Sequence, residues 1–126
     1  MIVDDYEFMR QTIAGILRQT GYQKIFEAPD GNTAITFLDK NAVDLILCDW
    51  EMPGKTGLEV LKHVLANGQI KHTPFIMITA RSALSELERA IDNGIKHFIV
   101  KPFSPDILRK KIAAVLAKSQ DREVSL

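Results

Sequence analysis

The sequence predicts a doubly wound α/β fold, a parallel sheet with helices on both faces, and three observations carry that prediction. Short apolar runs bounded by turn residues recur along the chain, and helix-spaced apolar residues separate them. Each strand-helix unit takes about 20 to 30 residues, enough for a parallel crossover. Residues 45–48, Leu-Ile-Leu-Cys, are apolar on both faces and stop at Asp49, as suits a central strand of a parallel sheet.

The elements follow in order. Ile2 and Val3 are a short strand, and Asp4 and Asp5 an acidic turn; Met9, Ile13, Ile16 and Leu17 then predict a helix over 6–20, stopped by Gly21. A second strand over 24–28 closes at Pro29-Asp30-Gly31 and precedes a short helix over 32–38. After the strand at 45–48, Leu58, Leu61, Val64 and Leu65 mark a third helix ending near Asn67-Gly68. Residues 74–79 read as a fourth strand, and Leu84, Leu87 and Ile91 as a fourth helix capped by Ser82 or Ser85. The last strand spans 97–100. Ser104 as N-cap, Pro105 in the first turn and Asp106 against the dipole open a final helix through Leu108, Ile112, Val115 and Leu116. Residues 1–118 are expected to form one domain, followed by a polar tail over 119–126.

Composition excludes several classes. With 46% apolar residues among 126, a chain of this size can bury roughly two thirds of its unfolded surface without staples. The single cysteine, Cys48, has no disulfide partner in the chain and suits a reducing, cytoplasmic setting. No run of about 18 apolar residues and no charged-then-apolar leader is present, so neither a membrane span nor a signal peptide is expected. Sixteen basic and sixteen acidic residues cancel, which removes any whole-domain attraction to nucleic acid or anionic lipid.

In a doubly wound sheet the carboxyl ends of all strands share one edge. Asp4 and Asp5 follow strand one, Asp49 strand three, Thr79 strand four and Lys101 strand five. Singly, each has an ordinary explanation as a cap, a strand residue or a surface lysine. Together they define a pocket. Three carboxylates would repel one another unless a cation lay between them, and a hard divalent ion, Mg²⁺ first, meets that need. Asp49 would then be a nucleophile for a phosphoryl group, Lys101 a counter-charge and Thr79 a hydroxyl donor to a phosphoryl oxygen.

Val3-Asp4-Asp5, Asp49-x-x-Met52-Pro53-x-x-x-Gly57, Thr79-Ala80 and Lys101-Pro102-Phe103 resemble the receiver domain of bacterial two-component response regulators. The resemblance spans residues 2–118. It implies a flavodoxin-like sheet of order 2-1-3-4-5 with five helices. It also implies phosphorylation of Asp49 by a histidine kinase or phosphotransfer protein, or by small phosphodonors, with autodephosphorylation. By the same resemblance, Asp5 is a direct Mg²⁺ ligand, Asp4 a water-mediated one, the main-chain carbonyl of Glu51 a further ligand, and Lys101 the phosphoryl-binding lysine before a cis proline. Thr79 and Phe98 take the parts of the switch: the hydroxyl moves toward the phosphoryl group and the ring turns inward. The result is a signalling domain and not an enzyme, acting on a protein target through its helix 4, strand 5 and helix 5 surface. Chemotaxis is among the processes such a domain serves.

Three departures qualify the match. Only Met1-Ile2-Val3 precede the acid pair, fewer apolar residues than the family usually shows. Glu51 adds a fourth acid beside the site. Ile95-Lys96-His97-Phe98 stands where DNA-binding regulators that dimerise through this surface commonly carry acids. A freestanding receiver that docks a protein is therefore expected, with Arg81, Glu86, Arg89, Lys96, Arg109 and Lys110 as candidates for the docking face. A fragment of a larger DNA-binding regulator or hybrid kinase would look the same. Two other classes fit less well. A flavin module needs a Gly, Ser or Thr-rich phosphate loop after strand one, where Asp4-Asp5-Tyr6-Glu7 is acidic. An aspartate-nucleophile phosphatase resembles D-x-D at strand one, whereas this chain carries Asp49-Trp50-Glu51 at strand three.

Overall fold

Parallel pairing begins at β1 (Ile2–Val3), which holds β2 (Glu27–Ala28) on one side and β3 (Ile46–Asp49) on the other. The structure, a computed structural model, describes residues 1–80 and 85–124, with 119–124 as backbone alone. β4 (Phe75–Ala80) and β5 (His97–Lys101) complete an all-parallel sheet of order β2-β1-β3-β4-β5, the doubly wound arrangement the sequence predicts. Between the strands lie α1 (Glu7–Gln19), α2 (Gly31–Leu38), α3 (Gly57–Ala66) and α4 (Leu87–Asp92), and α5 (Pro105–Val124) closes the chain.

Alternate side chains of the strands feed two cores, one on each face of the sheet. Ile2, Leu47, Ile76, Ile78 and Ile99 pack with Ile13, Ile16 and Leu17 of α1 and Leu108, Ile112 and Val115 of α5. Val3, Ile46, Cys48, Phe75 and Met77 pack with Ala34 and Leu38 of α2, Val60, Leu61 and Val64 of α3 and Ala90 of α4. Burial in this second core pushes the Cys48 thiol well above its ordinary pKa, so Cys48 acts as a small hydrophobe.

Several boundaries shift for identifiable reasons. β2 is two residues long and not five, because β1 offers partners only at Ile2 and Val3. The short β1 is nonetheless bonded on both sides: Ile2 N donates to Phe26 O at 2.8 Å, and Leu47 N to Met1 O at 2.8 Å. The Met1 α-amino group adds a bond to the Leu45 carbonyl at 2.7 Å. α2 starts at Gly31 because the Asp30 carboxylate caps it, accepting from Thr33 N at 2.7 Å. Thr56 and Glu59 form a reciprocal capping box at the start of α3. Ser104 caps α5 as expected, its Oγ accepting from Ile107 N at 3.2 Å. No Gly or Pro interrupts 106–124, and α5 runs to Val124, through the point where the sequence suggests a tail.

α4 departs most from expectation. Ser82 and Leu84 lie outside the described residues, and Ser85 does not cap the helix, whose N-cap is Glu86 without a side-chain bond. Ala90 is its buried residue, while Ile91, one of the apolar residues that mark the helix in the sequence, is 52% exposed.

Candidate functional site

The register of the sheet assembles the site. β3 ends at Asp49, paired with Ile78; Thr79 is paired with Val100 and Ala80 with Lys101, so three distant segments finish at one edge. Asp4 joins them because its amide continues the β1 pairing, donating to Ala28 O at 3.1 Å.

Asp4 and Asp49 are both buried, at 1% and 8% exposure, whereas Asp5 is exposed. One carboxylate oxygen from each of Asp4, Asp5 and Asp49 lies within 4.8 Å of the others, close enough to share one cation. Hard oxygen donors of this kind, two of them in a buried setting, fit a hard divalent ion such as Mg²⁺. Asp4 is fixed by its neighbours: its Oδ1 accepts from Tyr6 N at 2.9 Å, and Arg10 Nη1 donates to its carbonyl at 2.8 Å. Arg10 is itself held by Glu27 at 3.4 Å.

Lys101 reaches into the cluster. Its Nζ lies 3.1 Å from Asp49 Oδ1 and 3.5 Å from Asp4 Oδ2, and the Lys101-Pro102 bond that follows is cis, as the family resemblance implies. These charges compete at Asp49. The net pKa is raised from 3.8 to about 6: burial raises it most, the Lys101 ammonium pulls it down, and Asp4 pushes it up. Desolvation wins, which leaves Asp49 poised for a cation or a proton.

The other expected residues fall into place unevenly. Thr79 is buried at 2% exposure and its hydroxyl donates to the Ala80 carbonyl at 3.3 Å, so it engages main chain and not Asp49. Phe98 is half-buried against the core that includes Val3 and Met77. The Glu51 side chain is exposed at the rim. Arg81 lies outside the described residues.

Two features beside the site escape a reading of the sequence. The buried indole of Trp50 donates to Glu86 Oε2 at 2.8 Å, tying the residue after Asp49 to the start of α4. No spacing rule reveals a contact across 36 residues between a loop and a helix end. The second feature is Gly57, whose amide donates to Trp50 O at 2.9 Å. A Cβ there would stand 2.2 Å from Asp49 O and 2.9 Å from Met77 Sδ, so only glycine lets the loop fold back beneath the acid. Gly57 in the motif was the available signal; its packing role was not readable.

Fold and site together define a doubly wound domain that presents a buried aspartate, two companion carboxylates and a lysine at one sheet edge. The chain belongs to the response regulator receiver domain family, whose description matches residues 1–113. It is 36% identical over 118 residues to the chemotaxis protein CheY of Pseudomonas aeruginosa, covering 94% of this chain and 95% of that one. A receiver domain of a signal transduction histidine kinase from Syntrophus aciditrophicus superposes with a TM-score of 0.85 at 27% identity, covering 93% of this chain and 88% of that one. NtrX from Brucella abortus gives 0.87 at 31% identity, covering 98% of this chain but 28% of its own. The chain is thus a response regulator receiver domain of the CheY type, a signalling domain and not an enzyme of the ordinary kind.

Proposed function

We propose that Asp49 accepts a phosphoryl group in a Mg²⁺-dependent reaction, from a histidine kinase, a phosphotransfer protein or a small phosphodonor. The observation that carries this reading is the convergence of Asp4, Asp5 and Asp49 oxygens within 4.8 Å, with Lys101 Nζ 3.1 Å from Asp49. Asp5 and Asp49, with Asp4 and the main-chain carbonyl of Glu51, would hold the ion. When bound, Mg²⁺ neutralises charge on the transferring phosphoryl oxygens. Asp49 supplies the attacking carboxylate oxygen, and burial keeps water scarce around it. Lys101 gives up part of its contact with the Asp49 oxygens to pair with the incoming phosphoryl oxygens.

Phosphorylation replaces the single charge of the Asp49 carboxylate with a phosphoryl group that carries about 1.5 to 2 negative charges and stands closer to Thr79. The Thr79 hydroxyl now spends its proton on a 3.3 Å bond to the Ala80 carbonyl, and a phosphoryl oxygen is the stronger acceptor. Movement of Thr79 toward it would leave room into which half-buried Phe98 turns. The surface of α4, β5 and α5 would carry the signal to a protein partner. Ile91 of α4 is 52% and Ile107 of α5 54% exposed, and Arg89 and Lys96 are exposed as well. Full reversal of a 1:99 equilibrium would require about 5.5 kcal/mol of preference, so partial switching is expected.

A second reading has one observation in its favour. The chain corresponds to 28% of NtrX, so it also suits the receiver portion of a larger regulator. Both readings share the same phosphoacceptor. Incubation with Mg²⁺ and acetyl phosphate, followed by intact mass, tests it: the wild type gains one phosphoryl group and Asp49→Asn does not. Equal gain in the variant would place the phosphoryl group elsewhere.

A further inference from the structure

The chain leaves the sheet at Asp4. Its amide continues the pairing of β1 with β2, donating to Ala28 O at 3.1 Å, and α1 does not begin until Glu7. The turn between them carries two of the three site acids, yet it borrows little from the helix, whose Tyr6 N-cap makes no side-chain cap bond. Asp5 is exposed, and its carboxylate makes no hydrogen bond or ion pair among the described residues. Nothing in its own side chain therefore explains why it stands within 4.8 Å of Asp4 and Asp49. The main chain has to place it.

Arg10, one turn into α1, supplies a hold on that main chain. Its Nη1 donates to the Asp4 carbonyl at 2.8 Å, and its Nε pairs with Glu27 Oε1 of β2 at 3.4 Å. One guanidinium thus ties the turn to the neighbouring strand. Only 15% of the Arg10 side chain is exposed, and a charged hydrogen bond is stronger in such a setting than in water. A peptide unit is planar, so the Asp4 oxygen, the Asp5 nitrogen and the Asp5 Cα move together. Holding the oxygen sets the direction in which Asp5 leaves the strand. The ion partner of Arg10 is Glu27 and not a site acid, so the three carboxylates stay available to a cation.

We infer that Arg10 is a positioning residue for the metal site: it fixes the Asp4-Asp5 peptide so that the Asp5 carboxylate stands beside Asp49, and thereby raises Mg²⁺ affinity. This role rests on the Mg²⁺ reading of the acid cluster. A partner that orients a metal ligand is commonly worth about 10- to 100-fold in affinity. The sign of the effect separates positioning from charge. Loss of a positive group near the cluster would by itself strengthen Mg²⁺ binding, whereas loss of the hold on Asp5 weakens it.

The test compares wild type with Arg10→Met, which keeps the apolar stem and the helix propensity but has no donor, and with Arg10→Lys, which keeps the charge but not the planar fork. Mg²⁺ affinity is read from Trp50 emission. Hydrogen exchange at the Tyr6 amide, which donates to Asp4 Oδ1 at 2.9 Å, is read in chelator. Arg10→Met should weaken Mg²⁺ about tenfold, and Arg10→Lys should weaken it less. In both, Tyr6 exchange should quicken by a larger factor than exchange at the β4 amides, a difference that a general loss of stability does not produce. Unchanged or tighter Mg²⁺ binding in folded Arg10→Met, or in Arg10→Lys if the first variant does not fold, overturns the role of Arg10 and leaves the Mg²⁺ site standing. A wild type that binds no Mg²⁺ refutes the site itself; equal Tyr6 exchange in wild type and variants overturns the hold assigned to Arg10 whether or not the metal binds.

Discussion

Lys101 Nζ and Asp49 Oδ1 are 52 residues apart in sequence and 3.1 Å apart in space, with Asp4 Oδ2 a further 3.5 Å contact of the same ammonium. This one cation opposes the desolvation that holds Asp49 at about 6. Removing it exposes what it does. In Lys101→Ala the Asp49 pKa should rise further, read by NMR titration of its carboxyl carbon. Mg²⁺ affinity should stay within a few-fold, since the ammonium ligates no metal. An unchanged or lowered pKa would contradict the balance described.

The same group makes stability depend on pH. An acid whose folded pKa exceeds its unfolded value binds its proton more tightly when folded, so ionisation favours unfolding. The penalty is absent below 3.8, grows as pH rises toward about 6, and is complete above it. The stability lost this way is largest at neutral pH in the absence of divalent metal. Asp49→Asn should therefore be more stable than wild type at pH 7 in chelator, with the advantage vanishing near pH 4. Urea unfolding at the two pH values measures it; equal stability at pH 7 would contradict a desolvated Asp49.

Gly57→Ala should destabilise the fold and disturb the site together. The added Cβ meets the Asp49 carbonyl at 2.2 Å and the Trp50 Cα at 3.0 Å, both main-chain positions that cannot rotate away. A loss of about 2 to 4 kcal/mol in urea unfolding is expected, accompanied by weaker Mg²⁺ binding. Wild-type stability would mean the loop is free to move.

Trp50→Phe removes the indole N–H that reaches Glu86 at 2.8 Å and leaves an exposed carboxylate that water can satisfy. The expected cost is about 0.5 to 1.5 kcal/mol. Hydrogen exchange at the first turn of α4 should quicken, while phosphoryl uptake from acetyl phosphate persists. Unaltered exchange there would show that the bond does not restrain α4.

What the sequence made legible was set by period and by turn chemistry. The apolar run ending at Asp49, the Ser104-Pro105-Asp106 start of α5 and the strand-end residues Asp4, Asp5, Asp49, Thr79 and Lys101 all carry local signals, and topology brought the site residues to one edge. Elements whose bounds depend on partners were harder. β2 is cut to two residues by the length of β1, a constraint held in another part of the chain. The facing of α4 has no clear local signal, because a six-residue helix has too few apolar positions to fix its phase. The Thr56-x-x-Glu59 capping box had a readable pattern and was passed over. The Trp50–Glu86 bond had none, being a product of tertiary packing.

Trp50 is the single tryptophan, adjoins Asp49, and so reports on the site directly. Its emission should change saturably as Mg²⁺ is added to wild type. Beryllofluoride should then produce a second change, absent in Asp49→Asn. That pair of responses is what a Mg²⁺-dependent phosphoacceptor at Asp49 predicts. A folded wild type that shows neither response, or an Asp49→Asn variant that keeps the second one, would contradict it.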